Sequence, residues 1–418
     1  MRDFPVRLKI FLESARRRGF FSTVSRRLIS TLAQFAIWLA LLPVTVALHG
    51  FGFRRLTVLT GRIGHLAAEV DCFLKARALG ELPPRKWFLL APRGRVANTH
   101  LMSYWQKYLP VVSNPIACAL LGAMSRWFFM RYDVSHYVLS LNATQDLYRL
   151  NTQWAGRPPL LALSSQDEIW SASKLRDLGV PEGKWFVCIH VREPGFSPAD
   201  EAAHAHRNGS PLAMLPVVAE IVRRGGWCIR MGDPTMSALP KTHGVVDYAH
   251  HPLRSARLDV VLCARARCFV GNSSGLALVS TAFGVPSVLV NMIPLSALAP
   301  LPADLSIHKV LRSVCEKRLM RFDEILCSPA GDFRYASLYA EAGLIPEEND
   351  ADEILSVVCE MLDRIEGRFT ETPEDHLLQS RFRELLRPGH YAFGACSRVG
   401  TAFLRKYRDL LGPEQGAG

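Results

Sequence analysis

A loop of small residues is the clearest candidate for chemistry in this sequence. The loop Gly271-Asn272-Ser273-Ser274-Gly275 stands between the apolar run Cys268–Val270 and the apolar stretch Leu276–Phe283. This order predicts a strand, a tight loop and a helix N-terminus, which together offer backbone N–H groups and hydroxyls to an anion. We therefore expect Ser273, Ser274 and Gly275 to bind a phosphate-like group.

The same five residues also match G-x-S-x-G, the nucleophile elbow of serine hydrolases, with Ser273 as the nucleophile. Such an enzyme needs an acid and a histidine further along the chain, and Asp304 with His308 or His376 could serve. No HGGG-like oxyanion loop precedes the motif. The anion site is therefore the favoured interpretation, and the hydrolase is kept as an alternative.

Polar residues also close two earlier apolar runs. His190-Val191-Arg192 ends the run that begins at Trp185, and an arginine at a strand end can hold a phosphate through two N–H groups. Arg230 and Asp233 bracket the end of the next run, where Asp233 could accept a hydrogen bond from a base or a sugar hydroxyl. A solvated strand end and a capped turn are the ordinary alternatives.

Four further polar residues lie before the small-residue loop. They are Asp247, Arg254, Ser255 and Asp259. Asp259 could bind a ligand, or it could be an acid in the first turn of a helix, where it complements the helix dipole.

The first half of the chain offers candidates for a general base. Gly61 and Gly64 would let backbone approach a ligand closely, and His65 follows them at a position from which it could take a proton. Glu69 and Asp71 are rival bases, and a helix-entry turn with a histidine cap is the structural alternative.

An acidic pair could suggest a metal. Asp350 and Asp352 form a DxD motif, but they precede the apolar start of a predicted helix at Ile354, where acids are expected in any case. We interpret the pair as helix capping and predict catalysis without a metal or another cofactor.

The elements that must position these residues alternate between short apolar runs and helical stretches. The runs end at Gly or Pro, a pattern typical of parallel α/β units in two successive sets. Ligands in such folds bind at the carboxyl ends of the strands. A linker is expected between Gly156 and Gly183, and the predicted strands are Leu56–Leu59, Trp87–Leu90, Tyr137–Leu141, Trp185–Val191, Trp227–Met231, Val245–Val246, Cys268–Val270 and Ser287–Val290.

The charge is concentrated at the two ends of the chain. The 418 residues have a formal net charge of +12. Residues 1–55 hold ten Lys and Arg against two acids, and residues 376–418 hold seven against three, so the body between them is close to neutral. This distribution argues against nucleic-acid binding, which would spread cations over the folded surface. It fits a body held against an anionic membrane surface.

The N-terminal segment has the features of a membrane anchor. Leu28–Phe53 carries no charged side chain over 26 residues and has basic residues on both sides. A segment that enters or lies in the cytoplasmic face fits this pattern, with a full span or a buried core helix as alternatives. The ten scattered cysteines form no CxxC pair, which indicates a reducing compartment and argues against a cleaved signal peptide.

Taken in order, the motifs resemble a family of bacterial glycosyltransferases found in surface-polysaccharide gene clusters. The resemblance covers roughly residues 56–330. That family is in turn distantly similar to GDP-fucose-dependent fucosyltransferases of the GT-B type. The matching stretches are GRIGHL (61–66), VCIHVRE (187–193), HRN (206–208), GGWCIRMGD (225–233), VVDYA (245–249), RS (254–255), LDVVLCARARCFVGNSSGL (258–276) and FGVPSVLVN (283–291).

The resemblance implies a fold and a division of the chain. It implies two Rossmann-like α/β domains facing a cleft, preceded by the helical membrane segment. The acceptor domain would be residues 56–165 and the donor-nucleotide domain residues 166–375, flanked by the segment 1–55 and by basic helices in 376–418.

The resemblance also implies roles for the residues. Arg192 would hold the donor diphosphate, Ser273 and Ser274 would cap it, and Asp259 would support the loop. His65 or Asp71 would be the base in an inverting transfer. The remaining donor-site residues would be Gly61, Gly64, His190, Asn208, Arg230, Asp233, Asp247, Arg254, Ser255 and Gly275.

The implied partners are a nucleotide-sugar, with a GDP-sugar favoured, and a glycan or lipid-linked acceptor at the cytoplasmic face of the inner membrane. The sequence departs from the family at His204-Ala205-His206, where an Asp or an aromatic residue is expected, and at Asn272, where Thr is common. A non-enzymatic component of glycan assembly is the third interpretation.

Overall fold

The computed structural model describes residues 35–125, 127, 131–133, 141–195 and 198–413. Most of the predicted membrane segment, residues 1–34, therefore lies outside the described residues. The chain divides into two compact units. The first unit comprises residues 1–57, 84–94 and 109–133, and the second comprises residues 58–83, 95–108 and 134–418. The boundaries expected near residues 55, 165 and 375 stay predictions, as does the cleft.

The strands and helices are numbered here in chain order. The strands are β1 Phe53–Thr57, β2 Lys86–Leu90, β3 Val111–Val112, β4 Arg131–Asp133, β5 Phe186–His190, β6 Trp227–Arg230, β7 Val245–Asp247, β8 Phe269–Gly271, β9 Ser287–Met292, β10 Leu305–His308, β11 Val310–Ser313, β12 Leu344–Glu347 and β13 Arg398–Val399. The helices are α1 Leu42–Gly50, α2 Ile63–Ala78, α3 Thr99–Trp105, α4 Pro115–Met124, α5 Leu141–Gln153, α6 Ser165–Asp177, α7 Pro198–His204, α8 Leu215–Arg223, α9 Ala256–Arg265, α10 Gly275–Ala282, α11 Phe322–Leu326, α12 Ala336–Glu341, α13 Ala351–Ile365, α14 Pro373–Leu385 and α15 Thr401–Lys406.

The first unit is built on a four-stranded parallel sheet. The strand order is β3-β2-β1-β4. Phe88, Leu90 and Cys118 form its buried core, so β2 and α4 pack against each other. The apolar residues of β2 are buried as expected for a parallel strand covered by a helix.

The second unit is built on a seven-stranded parallel sheet. Its order is β13-β10-β9-β8-β5-β6-β7. Strands β5 to β10 follow the 3-2-1-4-5-6 order of a doubly wound Rossmann sheet. In that order β5 and β8 are neighbours, and the point between them is the topological switch point at which such sheets bind ligands. The fold class, parallel α/β, is confirmed.

Most of the predicted strands are confirmed to within one or two residues, because buried parallel strands have a purely local apolar signal. The strand expected at Tyr137–Leu141 falls mainly outside the described residues, and α5 begins at Leu141. The linker expected between Gly156 and Gly183 is wrong over its central part, because α6 forms there. The Ser164 side chain caps that helix by accepting from the Asp167 N–H.

One smaller prediction about a helix is confirmed. Asp350 caps α13 in a capping box with Glu353, so the DxD motif serves the helix start. In the C-terminal basic region, Phe403 and Leu404 of α15 are buried in the core of the second unit. None of the helices within the described residues is long and apolar enough to cross a membrane.

Candidate functional site

The carboxyl ends of β5 and β8 bring two predicted motifs together. His190 and Gly271 are paired in neighbouring strands, so the residues that follow them emerge side by side. The buried Asn272 side chain accepts from the Arg192 N–H at 2.8 Å and donates to the Arg207 carbonyl at 3.1 Å. Asn272 thus fixes two arginine-bearing segments against the small-residue loop.

Three cations lie around this loop. Arg192 Nε donates to the Asn208 side-chain oxygen at 3.0 Å. Arg207 Nη2 donates to the Ser273 carbonyl at 2.6 Å and also contacts the Ser273 Oγ at 3.3 Å. Lys309 Nζ donates to the Asn208 carbonyl at 2.8 Å. Because all three side chains are hydrogen bonded to neighbouring residues, their positive charges are held in fixed positions.

Arg207 is repelled by neighbouring arginines. Burial, together with the charges of Arg192 and Arg62, lowers the pKa of Arg207 to about 10. Burial also lowers the pKa of Lys309, although Glu348 Oε1 lies 3.7 Å from its Nζ. A bound anion would relieve this repulsion, so the cluster has the electrostatics of an anion site.

His190 and His206 are neutral histidines at this site. Burial, followed by the Arg230 charge, lowers the pKa of His190 to about 4. Burial and the Arg207 charge lower the pKa of His206 to about 3. His204 stacks on Tyr335, with ring centroids 5.5 Å apart. These rings therefore add shape and hydrogen-bonding capacity, while the arginines and Lys309 supply the charge.

Two helix N-termini meet beside the cluster. Ser274 caps α10 through its Oγ, which accepts from the Ala277 N–H, and α2 begins next to it. Gly64 and Gly275 form the point of contact, since a Cβ on Gly64 would lie 2.8 Å from the Gly275 Cα. The positive ends of both helix dipoles thus lie near Arg207 and the loop.

We expect Gly64→Ala to destabilise the protein by about 1–3 kcal/mol, because the added methyl group must push α2 away from α10. Gly61→Ala is the matched control, since its Cβ would meet only the Arg95 carbonyl at an ordinary 3.6 Å. The measurement is the midpoint of urea unfolding. Equal midpoints for the two variants would show that the helices do not need this close approach.

His65 lies one residue beyond that contact and forms a pair with a carboxylate. Its Nδ1 is 2.6 Å from Glu69 Oε1, and Glu69 Oε2 accepts from the Leu59 N–H at 3.0 Å. Both side chains are buried. With Nδ1 held by the carboxylate, Nε2 is the ring nitrogen that can take a proton, as in other histidine–carboxylate bases.

Asp71, the rival base, is placed differently. Its Oδ2 accepts from Lys75 Nζ at 2.6 Å, and Lys75 also donates to Asn151 at 2.7 Å. Burial raises the pKa of Asp71 against the effect of Lys75. Asp71 therefore belongs to a buried ion pair inside the second unit, and His65 is the better-placed base.

The residues expected to contact the base and ribose of the donor form hydrogen bonds with neighbouring residues. Arg230 is buried between Glu193 at 2.6 Å and Asp247 at 2.9 Å. Asp247 also accepts from the Leu239 N–H at 3.0 Å. Asp233 accepts from the backbone and side chain of Thr235. These bonds fix the loop after β6, and the roles of Arg230 and Asp247 as donor contacts stay predictions.

Ser255 and Asp259 also have structural partners. Ser255 caps α9, with its side chain accepting from the Leu258 N–H. Tyr248 OH donates to Asp259 at 2.8 Å and accepts from the Ser255 N–H at 3.1 Å. Asp259 therefore supports the turn before α9 rather than the small-residue loop. Arg254 is exposed beside this turn.

The hydrolase alternative fails on geometry. His308 is fully buried and its Nε2 donates to the Ala297 carbonyl at 2.7 Å. Asp304 accepts from the Ser287 and Leu301 N–H groups. His376 pairs with Glu371 at 3.2 Å. The group that contacts the Ser273 hydroxyl is Arg207, which cannot act as a general base.

Two residues of the cluster were not singled out from the sequence. Arg207 lies inside the HRN stretch, but nothing local shows that it reaches Ser273. Lys309 had a usable signal, since a single lysine between the buried strands β10 and β11 needs a partner or a ligand. Within the described residues, no group of three His, Cys, Asp or Glu could hold a metal ion.

The fold and the site define a parallel α/β protein with a cationic site at the switch point of a Rossmann-order sheet. No family model matches the chain. No curated protein matches it either.

Three solved structures are similar to parts of the chain. An E. coli ADP-heptose lipopolysaccharide heptosyltransferase II is 13% identical, with 61% of this chain and 90% of that chain covered and a TM-score of 0.37. An E. coli heptosyltransferase with ADP is 14% identical, covering 62% and 91%, with a TM-score of 0.32. A family 9 glycosyl transferase from Veillonella parvula is 10% identical, covering 57% and 80%, with a TM-score of 0.34.

Proposed function

We propose that this protein is a metal-independent glycosyltransferase. It transfers a sugar from a nucleotide-sugar donor to a glycan or lipid-linked acceptor in bacterial surface-polysaccharide synthesis. One observation carries the proposal: Arg192 and Lys309 both donate to Asn208 and Arg207 donates to Ser273 in the loop before α10, while the His65–Glu69 pair begins one residue from the Gly64–Gly275 contact.

The arrangement supports an inverting displacement. His65 Nε2 takes the proton of the acceptor hydroxyl, and the acceptor oxygen forms a bond to the anomeric carbon. The bond between that carbon and the donor phosphate oxygen breaks, and its electron pair stays on the diphosphate. Arg192, Arg207 and the N-terminus of α10 stabilise this growing negative charge. Stabilisation of developing charge by fixed cations and dipoles is usually the largest single contribution to catalysis.

The nucleotide is tested directly by thermal shift with ADP, GDP, UDP, dTDP and CMP. We expect nucleoside diphosphates to raise the melting temperature more than CMP does, because two phosphates match several fixed cations. GDP is favoured by the resemblance to fucosyltransferases, although none of the three similar structures is one. ADP is included because one of those structures contains it.

Turnover is then tested with the matching nucleotide-sugar, by release of the nucleotide and transfer of labelled sugar to membrane lipid extracts. A melting temperature unchanged by all five nucleotides would contradict the proposal. Binding without hydrolysis or transfer would favour the non-enzymatic assembly component.

We also propose that the protein works at the cytoplasmic face of the inner membrane. The support is the concentration of basic residues in 1–55 around the uncharged stretch Leu28–Phe53. Such a segment suits a surface rich in anionic lipids, where each cation near the surface adds about 1 kcal/mol. A lipid-linked acceptor would be found at the same surface.

A further inference from the structure

The first unit exposes apolar side chains along its N-terminal helical stretch. Residues 35–40 are helical, Leu41 forms a turn and α1 follows. The exposed large apolar side chains of this stretch are Phe35, Ile37, Leu39, Val44, Val46 and Phe51. A surface of this kind is uncommon on proteins that contact only water, and it indicates a partner or a membrane.

Helix α4 of the same unit also exposes apolar side chains. Ile116 is 72% exposed and Leu120 is 47% exposed, and they lie one turn apart on the same face of α4. Cys118 and Met124 are buried, and Cys118 packs with Phe88 and Leu90 of the sheet. The inward face of α4 therefore serves the core, whereas its apolar outward face has no role in that core.

The two segments are linked by an aromatic pair. The rings of Trp38 and Trp127 stack with centroids 4.0 Å apart and an angle of 24° between their planes. Trp38 belongs to the helical stretch 35–40, and Trp127 follows α4. We call the exposed residues of 35–51 and 115–124 the apolar surface.

Positive charge dominates the unit that carries this surface. Its residues with described side chains include five Lys and Arg and no Asp or Glu. The cations are Arg54, Arg55, Arg85, Lys86 and Arg93. Lys86 Nζ lies 5.2 Å from the ring centroid of Phe53, which follows the helical stretch. An apolar face accompanied by cations complements the interface of a bilayer with anionic headgroups.

The chain outside the described residues points the same way. Residues 28–34 continue the uncharged stretch N-terminally from Phe35, and residues 1–27 carry eight further Lys and Arg. We propose that the apolar surface docks on an anionic lipid bilayer and that α4 is a lipid-contacting helix in addition to the N-terminal segment. This proposal does not depend on the glycosyltransferase assignment.

The test compares full-length proteins in flotation with vesicles of phosphatidylcholine containing a quarter phosphatidylglycerol. Ile116→Gln with Leu120→Gln removes apolar area from α4 without adding charge. We expect the partition coefficient of this double variant to fall by about tenfold or more, from the transfer energy of the two side chains. Binding of the wild type should also be weaker to pure phosphatidylcholine and at high salt.

The matched control is Ile169→Gln. Ile169 is 76% exposed on α6 in the second unit, so it is as accessible as Ile116 but lies away from the proposed surface. Its partition should equal that of the wild type. The shift in melting temperature caused by nucleotide, measured without vesicles, should be the same for the wild type, the double variant and Ile169→Gln. This control separates failure of the docking proposal from failure of the glycosyltransferase proposal.

Hydrogen exchange on the wild type covers the case in which the double variant fails to fold. Vesicles should slow exchange in residues 115–124 and leave residues 165–177 unchanged. Equal flotation of the double variant and the wild type, or no protection of 115–124, would overturn the proposal. So would a change from dimer to monomer in the double variant with vesicle binding retained, because the surface would then serve a second copy of the chain.

Discussion

Replacing Arg192 with alanine is expected to lower kcat/KM for sugar transfer by about 100- to 1,000-fold. The estimate is the cost of removing one fixed donor that faces charge developing in a transition state. Arg192 is suited to that role because its Nε is held by Asn208 and its backbone N–H by Asn272. The guanidinium is therefore oriented before the donor binds, and little free energy is spent on ordering it during the reaction.

Two further variants show whether orientation or charge matters. Arg192→Lys keeps the charge but loses the planar hydrogen-bonding fork, so we expect an intermediate rate. Arg223→Ala is the matched control, because Arg223 is an exposed arginine on α8 that pairs with Glu220 of the same helix. Its activity should equal that of the wild type.

The measurements are steady-state rates across a range of donor concentrations and thermal shifts with the preferred nucleotide. We expect Arg192→Ala to lose both turnover and most of the nucleotide shift while melting near the wild-type temperature without ligand. Full activity in Arg192→Ala would contradict the placement of the diphosphate at the end of β5.

The part of the site that lies at strand ends could be predicted from the sequence. The apolar runs of β5 and β8 are local signals, and polar residues directly after them must lie at the carboxyl edge of a parallel sheet. Arg192 and Asn272, which are hydrogen bonded to each other, are 80 positions apart in the sequence. Their meeting still follows from the order of the motifs once the Rossmann strand order is assumed.

The contacts made by side chains across the fold could not be predicted in this way. Arg230 looked like a ligand contact, but Glu193 and Asp247 enclose it, and only the tertiary structure brings these three together. Arg207 reaches Ser273 from a short turn that has no periodic pattern. In both cases the sequence shows a guanidinium group but does not show which residues it hydrogen bonds to.

The four-residue spacing of polar side chains in α2 predicts two side-chain pairs. His65 and Glu69 are four residues apart, as are Asp71 and Lys75, so each pair shares a helix face. The sequence therefore contains both pairs, and Glu69, predicted above as a rival base, is hydrogen bonded to His65. Glu69 is therefore the partner of His65, and Asp71 forms an ion pair with Lys75.

The His65–Glu69 and Asp71–Lys75 pairs make His65 the expected general base. His65→Ala is expected to lower kcat by about 100- to 10,000-fold, the usual contribution of a general base, with a smaller change in donor binding. The reason is that the imidazole acts on the acceptor hydroxyl and not on the nucleotide. The measurement is kcat at saturating donor and acceptor, with nucleotide thermal shifts as the binding control.

Glu69→Gln tests the second member of the pair. It keeps the size of the side chain and can still hydrogen bond to the ring, but it removes the charge that stabilises a protonated imidazole. We therefore expect kcat to fall less than in His65→Ala, and the double variant to be no slower than His65→Ala alone. Additive losses would mean that the two residues act separately.

Asp71→Asn separates the two candidate bases. Losing this carboxylate leaves the Lys75 ammonium buried with only neutral amide partners, so the unfolding free energy should fall by about 3–5 kcal/mol. The folded fraction should nevertheless keep a kcat close to that of the wild type, because Asp71 does not reach the reacting groups. If Asp71→Asn lost kcat while His65→Ala kept it, the base would be Asp71. The acceptor would then have to approach α2 from the side of Lys75, away from the contact of Gly64 with Gly275.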